Sequence, residues 1–214
     1  MDIIFDLDGV IINSSTSVVN RIKQVAEVLR FDITDKDLTK YIGYSPESTF
    51  TDLCNDKRNI SKASELYLKL FWSRPVEEAT LYPIIERVLQ ELIIKHGSML
   101  YIVTGRPHNV TLSIVHYYNL MRYFSMILSS AKRDKTEVVK ELIEYNHLEK
   151  DYCYFVGDRA LDVKAALDNE IIPVGALWGF GSREELVEAG AKLLLDEPLN
   201  LINELFIFEE VEEE

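Results

Sequence analysis

The chain has 214 residues, 47% of them hydrophobic and 28% charged, and its formal net charge is −13. This length is enough for one sizeable hydrophobic core and a small additional domain. The acidic balance argues against a nucleic-acid backbone as the main partner, and no apolar run approaches the roughly 20 residues of a membrane-spanning helix. Strand-like residues begin at Asp2, which leaves no room for a signal peptide, so we expect a cytoplasmic location and no membrane partner.

The first element is an apolar run, Ile3 to Phe5, which predicts a short buried strand. The next segment, residues 14–80, contains no convincing strand, and its apolar residues recur at helical spacing. It carries ten basic and ten acidic residues, so the excess negative charge belongs to the rest of the chain. A helical insert directly after the first strand predicts a lid over the strand ends. The alternative is a helical subdomain that only adds core.

From residue 81 onward, helix-like and strand-like segments alternate. Strands are predicted at 99–103, 124–128, 152–156, 171–174 and 192–195, and helices at 83–95, 107–118, 134–145, 161–169, 183–189 and 199–205. Such alternation predicts an α/β fold, a Rossmann-like, mainly parallel sheet with helices on both faces, plus a small all-helical cap domain. The predicted boundaries are 1–13 and 81–208 for the core, 14–80 for the cap domain and 209–214 for a solvated acidic tail.

Two acidic motifs follow predicted strands. Asp6 and Asp8 lie two residues apart, so in an extended chain they face the same side, and Gly9 lets the chain turn away. One carboxylate of such a pair can attack phosphorus while the other gives and takes a proton. Asp158 and Asp162 lie four apart and share one face of a helix start, where Asp158 could bind a metal and Asp162 could orient a neighbour. The alternatives are turn residues for the first pair and a helix cap with a solvated aspartate for the second.

Three further residues could hold an anion. Thr104 offers a hydroxyl and, with Gly105, backbone donors for phosphate oxygens. Lys135 lies beside a predicted helix N-terminus, where a cation is locally unfavourable unless an anion accompanies it. An exposed surface lysine is the alternative, and Lys132 and Arg133 are rivals for the same role.

The predicted strand ends bring these motifs together. In parallel sheets, ligands bind beyond the carboxyl ends of the strands, and Asp6, Thr104 and Asp158 all follow or end their apolar runs. Gathered carboxylates repel one another unless a cation joins them, and Mg²⁺ often binds through one or two carboxylates plus substrate phosphate. The sequence therefore predicts Mg²⁺-dependent phosphoryl transfer.

Taken in chain order, Asp-x-Asp-Gly at 6–9, Thr104, Lys135 and Gly-Asp-x-x-x-Asp at 157–162 resemble the haloacid dehalogenase-like hydrolase superfamily. The resemblance covers nearly the whole chain except the tail. The helical insert is similar to the type-one cap of that superfamily, and residues 179–191 are similar to its phosphoglycolate phosphatase branch.

The resemblance implies a nucleophile, Asp6, that forms an aspartyl-phosphate, and an acid, Asp8, that protonates the leaving alcohol and then activates water. It implies that Thr104 and Lys135 hold the phosphoryl group. The acid at Asp8 favours phosphate chemistry over carbon–halogen cleavage, because the dehalogenase branch lacks it.

The resemblance also implies a Mg²⁺ site made by Asp158, Asp6 and the main chain at Asp8, with Asp162 supporting the lysine or the metal shell. The expected enzyme is a phosphatase that acts on a small phosphorylated metabolite, namely a phosphoglycolate-like compound, a sugar phosphate or a nucleotide monophosphate. A phosphomutase of the same superfamily and a non-catalytic phospho-ligand binding protein remain the alternatives, and the oligomeric state is left open.

Two positions depart from the superfamily pattern. Arg106 stands where many relatives have a smaller or different residue and could alter a phosphate or cap contact, and Asn13 stands where relatives often carry aspartate. The cap gives no specificity signature; its candidates, chosen from polarity and position alone, are Arg21, Lys23 and Tyr44.

Overall fold

The computed structural model describes residues 1–42, 44–54, 56–73, 79–131 and 133–205. The chain divides into two compact units. The first consists of Met1–Asn13 and Leu81–Glu214, and the second is Ser14–Thr80. The predicted acidic tail, 209–214, lies outside the described residues.

The first unit contains a sheet of six strands: β1 (Asp2–Phe5), β4 (Met99–Thr104), β5 (Met126–Ser129), β6 (Cys153–Gly157), β7 (Ile172–Ala176) and β8 (Leu193–Leu195). Their order in the sheet is β5-β4-β1-β6-β7-β8, and every neighbouring pair is parallel. A separate two-stranded sheet pairs β2 (Ile12–Asn13) with β3 (Thr80–Leu81). The mainly parallel α/β fold predicted from the sequence is confirmed.

The central strands are apolar except at their ends, as expected for a sheet whose two faces are both covered. Ile4 and Phe155 pack into a cluster with Val139 and Leu142 of helix α6 (Lys135–Asn146). Their alternate neighbours on the same strands, such as Phe5, are equally buried, so the opposite face is covered as well. The helices of this unit are α4 (Ile85–His96), α5 (His108–Tyr117), α6, α7 (Ala160–Asp168) and α8 (Arg183–Ala189), and residues 200–205 are also helical.

Helix ends follow local capping chemistry. The side chain of Asp134 accepts a hydrogen bond from the backbone N–H of Thr136 and fixes the start of α6. Ser182 accepts from the N–H of Glu185 at the start of α8. Because Asp134 turns the chain into α6, the first side chain of that helix, Lys135, is directed inward and buried.

The second unit is helical, with α1 (Ser15–Leu29), α2 (Pro46–Leu53) and α3 (Ile60–Ser73). Helix α3 packs against both α1 and α2. The Phe50 and Tyr67 rings meet edge to face with their centroids 5.7 Å apart. Within the described ranges, none of the helices has the length and apolar character needed to cross a membrane. The interpretation of this unit as a cap stays a prediction.

Element boundaries shift where side chains or backbone angles override periodicity. The predicted strand at 124–128 begins at Met126, because a short 3-10 turn, Met121–Tyr123, precedes it, and Phe124 packs edge to face on Phe5. The predicted helix at 83–95 begins at Ile85, because Ile84 adopts a positive φ of 60° that is incompatible with a helix.

The fold generates a stability prediction. Leu142 of α6 is fully buried against the sheet. Leu142→Ala should therefore lower the free energy of unfolding by about 2 to 5 kcal/mol through lost burial and a residual cavity. Tyr145 lies on the same helix and is 75% exposed, so Tyr145→Ala should cost less than about 0.5 kcal/mol. Urea unfolding followed by circular dichroism measures both changes. Equal losses in the two variants would contradict this packing.

Candidate active site

The carboxyl ends of three neighbouring strands place the predicted site residues side by side. Asp6 follows β1, Thr104 ends β4 and Asp158 follows β6. In the sheet register, Phe5 of β1 is level with Ile102 of β4 and Val156 of β6. The three residues therefore come together although 98 and then 54 positions separate them along the chain.

Lys135 is the cation that contacts the carboxylates at this edge of the sheet. Its Nζ lies 2.6 Å from Asp162 Oδ1 and 3.3 Å from Asp6 Oδ1, and its side chain is only 6% exposed. The exposed-lysine alternative is therefore wrong. Of the rivals, Arg133 is half-exposed and pairs with Glu141, while Lys132 lies outside the described residues.

Asp162 organises the start of α7. One of its oxygens receives Lys135, and the other accepts the backbone N–H groups of Asp158 at 3.2 Å and Arg159 at 3.1 Å. Both Asp158 and Asp162 are 1% exposed, so the alternative of a solvated aspartate behind a helix cap is wrong. With both oxygens engaged, Asp162 acts on the lysine and on the turn that carries Asp158.

Glycines make room for the Asp158 carboxylate. A Cβ at Gly9 would lie 2.0 Å from Asp158 Oδ2, and a Cβ at Gly179 would lie 2.3 Å from Asp158 Cβ. A Cβ at Gly181 would lie 1.9 Å from the Asp158 carbonyl oxygen. This close approach lets the N–H of Phe180 donate to Asp158 Oδ2 at 2.8 Å. The Gly-Phe-Gly sequence thus encloses Asp158 in a pocket that only glycines can form.

The carboxylates are held at an electrostatic cost. Asp6, Asp158 and Asp162 each place an oxygen within 4.8 Å of the others. Burial raises the pKa of Asp6 to about 7 against the opposing charge of Lys135. Burial, followed by the charges of Asp162 and Asp6, raises the pKa of Asp158 well above its usual range. Burial alone would lower the pKa of Lys135, but the same two neighbours, Asp162 and Asp6, outweigh it, so its pKa is raised.

This donor set fits a divalent cation. If the three carboxylates of Asp6, Asp158 and Asp162 are ionised, Lys135 leaves two negative charges without compensation, and one Mg²⁺ would neutralise them. Because Asp162 is occupied by Lys135 and backbone N–H groups, Asp6 and Asp158 are the side chains suited to ligate the metal. The Asp8 side chain is paired elsewhere, so only its main chain is a candidate ligand.

Thr104 and Gly105 form the next wall of the site. Thr104 is 1% exposed, and its hydroxyl accepts the backbone N–H of Arg106 at 3.3 Å. Its carbonyl accepts the N–H of Ser130 at 2.8 Å and the hydroxyl of Ser130 at 3.2 Å, which ties β4 to the end of β5. A Cβ at Gly105 would meet nothing within 4 Å, so the backbone there is open to a ligand.

Asp8 forms an ion pair that the sequence did not predict. Arg106 Nε lies 2.5 Å from Asp8 Oδ2, and Arg106 Nη2 lies 2.5 Å from Asp8 Oδ1. The sequence marked Arg106 only as a departure from the superfamily pattern. Its partner stands 98 residues away, and no local signal could have indicated it.

Two aromatic residues of the site were also missed. The Trp178 indole N–H donates to the Val10 carbonyl at 3.1 Å and ties the loop after β7 to the loop that carries Asp8. Tyr82 lies close enough to the site that, after burial, the charges of Asp158 and Asp8 help to raise its pKa. The apolar character of these side chains gave no signal for a polar site.

The predicted cap residues all lie in the helical unit. Arg21 is buried and donates to the carbonyl of Ser17 at 3.0 Å. Lys23 is exposed, and Tyr44 is 50% exposed. Their role in specificity stays a prediction.

Comparison with known proteins gives a consistent set of relatives. The chain is 28% identical over 184 residues to a phosphoglycolate phosphatase from Aquifex aeolicus, covering 83% of this chain and 85% of that protein. It is 25% identical over 193 residues to a 5'-nucleotidase from Pseudomonas aeruginosa, covering 86% of each.

A solved structure of a haloacid dehalogenase-like family hydrolase from Streptococcus pneumoniae superimposes with a TM-score of 0.87 at 25% identity, covering 94% of this chain and 96% of that one. The model of the haloacid dehalogenase-like hydrolase family matches residues 3–175, a span that includes both acidic motifs, Thr104 and Lys135. The family resemblance read from the motifs is confirmed, and the chain belongs to the haloacid dehalogenase-like hydrolase family.

Proposed function

We propose that this protein is a Mg²⁺-dependent phosphatase that hydrolyses a small phosphorylated metabolite through an aspartyl-phosphate on Asp6. The observation that carries the proposal is the buried cluster in which Lys135 contacts both Asp6 and Asp162 while Asp158 adjoins them. Ionised carboxylates are costly to bury side by side, and a bound divalent cation offsets that cost. The relatives named as a phosphatase and a nucleotidase support the same reaction class.

In the first step, an Asp6 carboxylate oxygen attacks phosphorus, and the bond between phosphorus and the ester oxygen breaks. Asp8, in its protonated form, gives its proton to the departing alkoxide, which leaves as an alcohol. Asp6 is fixed for attack because its Oδ1 accepts the N–H of Leu7 at 2.8 Å and contacts Lys135.

In the second step, water attacks the phosphorus of the aspartyl-phosphate while Asp8 takes up a proton from it. The bond between phosphorus and Asp6 breaks, so inorganic phosphate leaves and the Asp6 carboxylate is regenerated. Thr104, the backbone at Gly105 and Lys135 hold the phosphoryl oxygens through both steps, as their shared position at the strand ends supports.

The metal would be held by Asp6, Asp158 and the main chain at Asp8. When bound, Mg²⁺ supplies positive charge that stabilises the transferring phosphoryl group. Asp162 positions Lys135 and, through the N–H groups of Asp158 and Arg159, the turn that presents Asp158.

Removal of the metal gives the first test of this function. Release of phosphate from p-nitrophenyl phosphate should fall to background in a chelator and return when Mg²⁺ is added in excess. The physical reason is that the buried carboxylates of Asp6, Asp158 and Asp162, when ionised without a cation, would repel the substrate phosphoryl group. Full turnover by metal-free protein would contradict the proposed metal dependence.

The two acids of the first motif give a second test. Asp6→Asn should lower phosphate release by a factor on the order of 10⁴ to 10⁶ and abolish the phosphoenzyme, because the nucleophile is lost. Asp8→Asn should accumulate phosphoenzyme from an ester with a very good leaving group, because water attack lacks its base. Acid quenching after labelled substrate measures both. Asp168→Asn, at an exposed ion pair with Lys164, is the matched control and should behave as wild type. Label trapped on the Asp6→Asn protein would rule out this nucleophile.

The glycine pocket around Asp158 gives a third test. Gly179→Ala places a methyl group against the Asp158 side chain, so the metal-ligating carboxylate must shift. The Mg²⁺ concentration needed for half-maximal activity should rise at least about tenfold, as expected when a metal ligand is displaced. Gly97→Ala, whose Cβ meets nothing within 4 Å, should leave that concentration unchanged although its positive φ costs some stability. If folded Gly179→Ala protein needed the same Mg²⁺ concentration for half-maximal activity as wild type, Asp158 would not be a ligand of the metal.

A further inference from the structure

Arg106 is built into the site by its backbone. Its N–H donates to the Thr104 hydroxyl, and its carbonyl accepts the hydroxyl of Ser129 at the end of the neighbouring strand. Pro107 follows and restricts the backbone of the residue before it. These contacts fix the backbone from which the side chain extends. The Arg106 side chain is 8% exposed, so its guanidinium has little access to water.

The Arg106 guanidinium engages both oxygens of Asp8 at once. Nε and Nη2 each lie 2.5 Å from one carboxylate oxygen, which is the bidentate geometry that arginine forms with carboxylates and phosphates. The Asp8 side chain is itself only 17% exposed. In this arrangement the acid of the proposed reaction has neither oxygen directed to a substrate.

Asp8 must therefore separate from Arg106 and take up a proton from water before it can protonate a leaving group. Separation removes the bidentate partner of a guanidinium that is largely excluded from water, and this is costly unless another anion takes the place of Asp8. The scissile phosphoryl group is already assigned to Asp6, Thr104 and Lys135. A different anionic group on the same substrate meets the requirement.

We infer that Arg106 is a specificity residue that binds a second anionic group, a carboxylate or a phosphate, on the substrate and thereby releases Asp8 for proton transfer. The inference rests on the proposed phosphatase function. Since Asp6 and Asp8 are two residues apart, their Cα atoms are separated by about 7 Å at most, so the second anion lies within a few bonds of the scissile phosphorus. Esters with one phosphoryl group, a neutral remainder and an alkoxide leaving group that must be protonated should be poor substrates, whereas the leaving group of p-nitrophenyl phosphate departs without an acid.

Matched substrates test this inference. Phosphoglycolate and its amide, in which a neutral carboxamide replaces the carboxylate, have the same size and the same scissile bond. Wild-type protein should favour the acid in kcat/KM by at least about tenfold, the effect of a hydrogen-bonded charge pair. Arg106→Gln should reduce that preference to about one. Arg106→Lys, which keeps the charge but loses the bidentate fork, should retain part of it.

A second pair of substrates tests whether the second anionic group is a phosphate. Pyrophosphate and methyl phosphate both carry a transferable phosphoryl group, and only pyrophosphate offers a neighbouring anion. An Arg106-dependent preference confined to this pair supports the inference and identifies a phosphate, whereas one confined to the first pair identifies a carboxylate.

Controls separate the possible failures. Arg122→Gln removes an exposed arginine that pairs with Glu86 and should leave both preferences unchanged. If Arg106→Gln does not fold, as judged by circular dichroism, the Arg106→Lys protein decides by itself. The inference would be overturned if the wild-type kcat/KM ratios within the substrate pairs were near one, or if folded Arg106 variants left those ratios unaltered. Hydrolysis of p-nitrophenyl phosphate would in that case still support the phosphatase function. If the protein released phosphate from none of these substrates, both the inference about Arg106 and the proposed phosphatase function would be overturned.

Discussion

The ammonium group of Lys135 lies between the carboxylates of Asp6 and Asp162, and all three side chains have little contact with water. A buried charge is tolerated only when opposite charge and hydrogen bonds compensate its lost hydration. Here one cation compensates two carboxylates on different elements, since Asp6 follows strand β1 and Asp162 lies in the first turn of α7. The interaction therefore fixes α6, from which Lys135 extends, to the strand end and to the turn that carries Asp158.

The same constraint explains the glycines around the site. A carboxylate that must remain buried beside other carboxylates needs donors close to it, and backbone N–H groups reach it only where side chains do not intervene. Gly9, Gly179 and Gly181 provide that access around Asp158, and the Phe180 N–H uses it. The loop after β7 is thus part of the site although it contributes no charged side chain to it. Trp178 adds a second tie by donating to the Val10 carbonyl.

Charge balance also relates the site to its reaction. The cluster around Lys135 places three carboxylates beside one cation, which suits a metal, whereas Asp8 and Arg106 form a separate ion pair. Under the proposed function, Asp6 and Asp158 would hold the metal, and a second anionic group of the substrate would take the place of Asp8 at Arg106. Under the proposed function, the residue that departs from the superfamily pattern becomes the one that selects among phosphate esters.

The sequence by itself determined the α/β class, because apolar runs and helical periodicity are local properties that the sheet and its helices preserve. It also determined the family, because the order of Asp6, Thr104, Lys135 and Asp158 along the chain is independent of the details of packing. Only the tertiary structure decided that Lys135, and not Arg133, enters the site, since burial depends on how Asp134 directs the start of α6. It alone revealed the pair of Asp8 and Arg106 and the contacts of Gly179 and Trp178, because these arise between segments brought together by sheet register, and no local pattern encodes which distant side chain will fill a given space.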